Sequence, residues 1–105
     1  MRRIALAAAV AASAVILAAA SAPRTYTITI ADMAFGAAPA ALRVGDTIEW
    51  VNADIFTHTA TARDGSFDVT LPPKAHARIV LKRAGRIAFY CRYHPGMVGV
   101  LTVAP

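Results

Sequence analysis

The chain has 105 residues, with 11 basic and six acidic side chains, a formal net charge of +5, and 57 % hydrophobic residues. That length allows one small domain. The bases are scattered among acids rather than gathered on one face with interleaved aromatics, which excludes a nucleic-acid binder.

The first 22 residues account for much of the hydrophobicity. Arg2 and Arg3 make a short basic start, Ile4 to Ala20 form an uncharged alanine-rich run, and Ala20-Ser21-Ala22 supplies a small-x-small motif. This order predicts an export signal over residues 1–22, cleaved after Ala22, with the paired arginines compatible with twin-arginine export. A retained membrane anchor is the alternative. The run sits at the low end of the ~17–25 residues a span needs, and alanine is only weakly apolar. Residues 23–105 then form the mature domain, with nine basic against six acidic side chains.

From Thr25 onward the apolar residues alternate, with no sustained helical period. "TYTITIA" places Tyr26, Ile28 and Ile30 on one face. Met33 and Phe35 in "ADMAFG" read as core or rim packing. "DTIEWVN" puts Ile48 and Trp50 together, with Trp50 in the core. His58 follows in "NADIFTHTATA", ahead of the Asp64-Gly65-Ser66 turn. "AHARIVLK" shares Ala77, Ile79 and Leu81 on one face, and leaves His76 with Arg78 and Lys82 on the solvent side. "RIAFYC" aligns Ile87, Phe89 and Cys91, and "VGVLTVA" closes the chain. Glycine and proline turns separate these pieces. Seven or eight short strands predict an all-β antiparallel Greek-key sandwich.

An exported domain of this size buries only about 60–65 % of its unfolded surface and usually relies on disulfides. Cys91 is the only cysteine and has no intramolecular partner. A free thiol in an oxidising compartment is open to dimerisation and oxidation, and a bound metal would both protect it and stabilise the fold. In "FYCRYHPGM", His94 and Met97 follow Cys91 at steps of three on the loop between two inferred strands. Pro95 restricts His94 to extended dihedrals and Gly96 permits a sharp turn. Thiolate, imidazole and thioether suit copper rather than zinc, which does not ordinarily take methionine. A trigonal copper site needs a second imidazole, and His58 is the choice because His76 reads as a surface residue. Tyr90 and Tyr93, flanking the thiol, read as packing around the loop.

"YCRYHPGM", together with "GDTIEWVN" and the upstream His-Thr segment, resembles the cupredoxins, the small blue copper proteins, with the amicyanin, pseudoazurin and plastocyanin group nearest. The resemblance spans Thr25 to Val103. It implies an eight-stranded Greek-key sandwich holding one type 1 copper, ligated by His58, Cys91 and His94, with Met97 as the weak axial donor. The family's usual asparagine beside the upstream ligand is Thr59 here. Its backbone N–H toward the sulfur is retained, the side-chain tie between loops is left open, and Pro95 has no N–H to donate.

Four filled copper positions leave no open site for substrate, so no enzymatic activity or small-molecule substrate is expected. The expected function is periplasmic single-electron transfer between redox partner proteins, by a monomer that docks them weakly around His94. A periplasmic copper carrier or resistance protein is the alternative. Such carriers often display Met- or His-rich surfaces, and after the leader this chain has only Met33 and Met97.

Overall fold

Alternating burial builds two sheets from nine strands among the described residues, which in this computed structural model are 2–5, 7–14 and 22–105. Residues 15–21 of the expected leader, including Ala20 and Ser21 of its cleavage motif, lie outside them. Among the described residues no helix is long and apolar enough to cross a membrane.

One sheet has the order β2 (Ala34–Phe35), β1 (Thr25–Ala31), β4 (Thr47–Asn52) and β7 (His76–Val80). The other has the order β3 (Leu42–Arg43), β9 (Val98–Ala104), β8 (Gly85–Tyr90), β5 (His58–Ala62) and β6 (Asp68–Leu71). The two-residue strands β2 and β3 lie at sheet edges, so seven longer strands carry the sandwich. The inner faces are those the alternation marks. Ile28, Ile30, Ile48 and Trp50 from the first sheet meet Ile87, Phe89, Leu101 and Val103 from the second. Trp50 packs against Phe89, Phe67 and Phe35 with ring centroids 5.0, 5.8 and 5.9 Å away. Phe35 is therefore partly buried against the core, and Met33 sits on the rim, 39 % exposed.

The structure departs from a purely antiparallel arrangement in two places. β1 runs parallel to β4, with Ile28 opposite Trp50, and β3 runs parallel to β9. The chain leaves the first sheet after β2, crosses to the second as β3 and returns as β4. That excursion lets β4 enter beside β1 in the same direction. A period-two pattern fixes which face is buried and is blind to strand direction.

Candidate metal centre

Cys91, His94 and Met97 lie on the connection between β8 and β9. The strands pair as far as Tyr90 opposite Val98, so the seven residues Cys91 to Met97 form one closed arc. Two backbone bonds fasten it. The Cys91 N–H donates to the Met97 carbonyl at 3.1 Å, and the Met97 N–H donates to the His94 carbonyl at 2.8 Å. Cys91 is fully buried and Met97 nearly so, which roots both ends of the arc in the core.

His58 opens β5, the strand beside β8, and is also fully buried. Its Nδ1 lies 3.1 Å from His94 Nδ1 and 3.7 Å from Cys91 Sγ, and the third side, Cys91 Sγ to His94 Nδ1, is 3.6 Å. The centre of that triangle lies about 2 Å from all three atoms, the bond length of a first-row metal to imidazole nitrogen. Two imidazoles and one thiolate in a plane are the trigonal donor set copper takes, and the residues present fit that ion. Met97 is buried at the end of the arc, its backbone tied to both Cys91 and His94. His76 stays out of the site, exposed and paired with Glu49 at 3.3 Å, as its alternation predicts.

The thiol is prepared for this role. Burial pushes the Cys91 pKa up, but the Thr59 N–H at 3.3 Å, the His58 and His94 rings and the Tyr93 N–H outweigh it, lowering the value to about 6. The sulfur is then largely thiolate at neutral pH, the form that binds metal.

Two further residues hold His58, and neither stands out in the sequence as a site residue. Asp54 Oδ2 lies 2.8 Å from His58 Nε2. A carboxylate can only accept, so Nε2 carries the proton and Nδ1 presents its lone pair to the triangle. The same carboxylate accepts from the Asp32 and Met33 N–H groups, each at 2.9 Å. Those residues have φ of 51° and 60°, in the left-handed region that side chains ordinarily avoid, and Asp54 fastens the turn. The Met33 N–H and then the His58 bond hold the Asp54 pKa below its usual value, against the opposing effect of desolvation. Asn52 shapes the loop that carries Asp54. Its Oδ1 accepts the Asp54 N–H at 2.9 Å, and its Nδ2 donates to the Phe56 and Leu71 carbonyls at 2.7 and 2.9 Å. The signal for this was the N-x-D spacing, an Asx turn in which an asparagine side chain bonds the backbone two residues on.

Thr59 restores the tie that the missing asparagine left open. Its hydroxyl accepts the Arg92 N–H at 2.8 Å and joins β5 to the metal loop directly after Cys91. Tyr90 is half-buried with the Arg63 guanidinium 4.3 Å from its ring centroid, whereas Tyr93 is 57 % exposed and packs less than its position suggested. An apolar side chain adjoins His94 at the surface. Phe56 lies 6.2 Å from the His94 ring and is half exposed, and Ile55 beside it is 81 % exposed.

Comparison with known proteins agrees with this geometry. Methylamine utilization protein MauL of Methylorubrum extorquens is 40 % identical over 57 residues, half of each chain, so this chain spans about half the length of the curated relative it matches. A reduced proline-to-phenylalanine variant of amicyanin superposes with a TM-score of 0.66 over 75 % of this chain and 81 % of that one, at 22 % identity, a likeness of fold. The Cu-containing nitrite reductase of Thermus scotoductus SA-01 gives a TM-score of 0.70 at 26 % identity, over 82 % of this chain and 24 % of that enzyme. The family model described as a cupredoxin-like domain matches residues 3–103. With nearly the whole length matched, and a His-Cys-His triangle at the end of a two-sheet sandwich, the chain belongs to the cupredoxin-like family.

Proposed function

We propose that this protein is an exported type 1 copper protein that carries single electrons between redox partners. The observation that carries the reading is the triangle of His58 Nδ1, Cys91 Sγ and His94 Nδ1, with sides of 3.1 to 3.7 Å around a buried thiol. Copper bound there supplies a one-electron Cu(II)/Cu(I) couple. In this reading His58, Cys91 and His94 are the strong ligands and Met97 is the weak axial donor.

The protein's part is to hold these donors still. Cys91 and Met97 are tied through the backbone of one arc, and His58 is clamped by Asp54. Such fixed donors keep rearrangement small when charge is gained or lost. Three ligands plus Met97 leave no position for a substrate, and the third histidine, His76, is committed to the surface with Glu49. These features favour a carrier over an enzyme of the nitrite reductase kind.

Electrons enter and leave through His94, whose ring adjoins the half-exposed Phe56, next in the chain to the exposed Ile55. A small apolar face suits brief encounters with redox proteins, which use interfaces below about 1,200 Å². The leader over residues 1–22 would place the protein, read here as a monomer, in the periplasm, and mass spectrometry of the exported form is expected to find Pro23 at its N-terminus.

Mutation of the two sulfur residues tests the ligand set. Cys91→Ser is expected to abolish the intense visible band, which requires a thiolate–copper bond, and a persisting band would exclude the assignment. Met97→Gln is expected to keep the band and shift the potential. Complete loss of copper from that variant would show that Met97 is more than a weak axial ligand.

A further inference from the structure

Beyond the donors themselves, a closed ring of hydrogen bonds on the outer side of the second sheet involves four residues that bind no metal. β5 and β8 pair at Ala62 with Phe89 and at Thr61 with Tyr90. Counted onward in that register, Thr59 faces Arg92, and here side chains take over from backbone pairing. The Thr59 N–H points at Cys91 Sγ, 3.3 Å away, and the Arg92 N–H donates to Thr59 Oγ1 at 2.8 Å. Thr59 and Thr61 hydroxyl oxygens lie 2.9 Å apart, and Thr61 Oγ1 lies 2.8 Å from Asp68 Oδ1. The other Asp68 oxygen pairs with Arg92 Nη1 at 3.1 Å, which returns the circuit to its start.

Proton counting gives the ring a direction. Asp68 as a carboxylate only accepts, so the single Thr61 proton goes to it and the Thr59 proton lies between the two hydroxyls. The Arg92 N–H feeds Thr59 Oγ1, and the Arg92 guanidinium closes on Asp68. The hydroxyl donors then point one way along the chain from Arg92 to Asp68, an arrangement in which each bond polarises the next.

We propose that the Thr59–Thr61–Asp68–Arg92 ring is a positioning device that holds the Thr59 N–H on the copper-binding thiolate and thereby raises the reduction potential. The proposal rests on the copper reading above. An N–H donated to the sulfur withdraws negative charge from it and favours the electron-rich reduced state, and outer-shell hydrogen bonds of this kind tune metal sites. Thr59 is fully buried, but Asp68 and Arg92 are 46 % and 44 % exposed, so the setting of a buried bond is controlled from the surface. Exposed ion pairs add little stability, which is why potential and spectrum, rather than melting temperature, read the effect.

The test compares Thr59→Val, Thr59→Ser and Asp68→Asn with the parent, each loaded with copper. Thr59→Val and Asp68→Asn are expected to lower the potential and shift the thiolate-to-copper band, Asp68→Asn by less, while Thr59→Ser keeps the parent values. Amide exchange in the metal-free proteins gives a reading independent of copper, and the Arg92 N–H is expected to lose protection in Thr59→Val alone. Parent-like potentials and bands in both Thr59→Val and Asp68→Asn would overturn the proposal and leave the ring a structural tie. If Thr59→Val does not fold, Asp68→Asn and Thr61→Val, altered at surface-accessible positions, decide the matter alone. A parent that takes up no copper defeats the metal site itself, a result distinct from a blue parent with unresponsive variants.

Discussion

Asp54 does two jobs with one carboxylate. One oxygen sets the tautomer of His58, and the pair together hold a left-handed turn at Asp32 and Met33. Asp54→Asn retains size and one accepting oxygen but cannot serve three donors. Outer-shell partners of metal-bound histidines are worth about 10–100-fold in metal affinity, so Cu(II) affinity is expected to fall by that factor in a competition titration. Affinity unchanged within about twofold, well short of that range, would mean that His58 is oriented by burial alone. The imidazole also becomes a poorer electron donor, so the potential of Asp54→Asn is expected to rise, opposite in sign to the change predicted for Thr59→Val. Opposite signs from two substitutions near one ion separate specific tuning from general loosening.

At the level of strands, the metal arc depends on how closely β8 and β9 approach. Phe89 faces Gly99 across the pair, and a Cβ built on Gly99 would overlap the Phe89 ring. Gly99→Ala is therefore expected to destabilise the fold by about 1–3 kcal/mol, the usual range for overpacking, as measured by denaturant unfolding. Wild-type stability would show that the ring can turn aside without cost. The faces of these strands were legible in the sequence, because alternation in "TYTITIA", "TIEWV" and "RIAFYC" names the buried residues directly. So was the approach of His58 and His94 to Cys91, because a lone thiol sharing one short arc with an imidazole and a thioether forms a set of soft donors that needs a second imidazole. The parallel pairing of β1 with β4 was not legible, since direction leaves no mark on alternation. Nor were Asp54 and the Asp68–Arg92 pair, whose roles depend on which strands become neighbours. Thr59 shows the middle case: its departure from the family's asparagine was visible, and its repair by a hydroxyl required the fold.

Across the whole molecule the site occupies one pole and a buried carboxylate the other. β4 spans about 20 Å from Asp46, just before its start, to Asn52 at its end, where the Asn52 side chain shapes the loop that carries Asp54. Asp46 accepts the Arg24 and Arg43 N–H groups at 2.8 and 2.9 Å, bonds that hold its pKa below the ordinary value against the effect of burial. A lowered native value means that the unfolded chain binds the proton more readily. The stabilisation is complete above the unfolded carboxylate pKa of about 3.9 and disappears as pH falls through the native value. Asp46→Asn is expected to cost about 1–3 kcal/mol at pH 7 and to flatten the acid limb of the stability curve, while leaving the visible spectrum unchanged. An acid limb identical to that of the parent would assign the pH dependence to other carboxylates. The molecule is thus read as a rigid frame pinned at one end that presents three converging donors at the other. The most direct test is the visible and paramagnetic resonance spectrum of the purified protein titrated with Cu(II). One equivalent bound, with an intense thiolate-to-copper band and narrow copper hyperfine splitting, is the predicted result. Sub-stoichiometric uptake, or one bound equivalent without that band, would contradict the account.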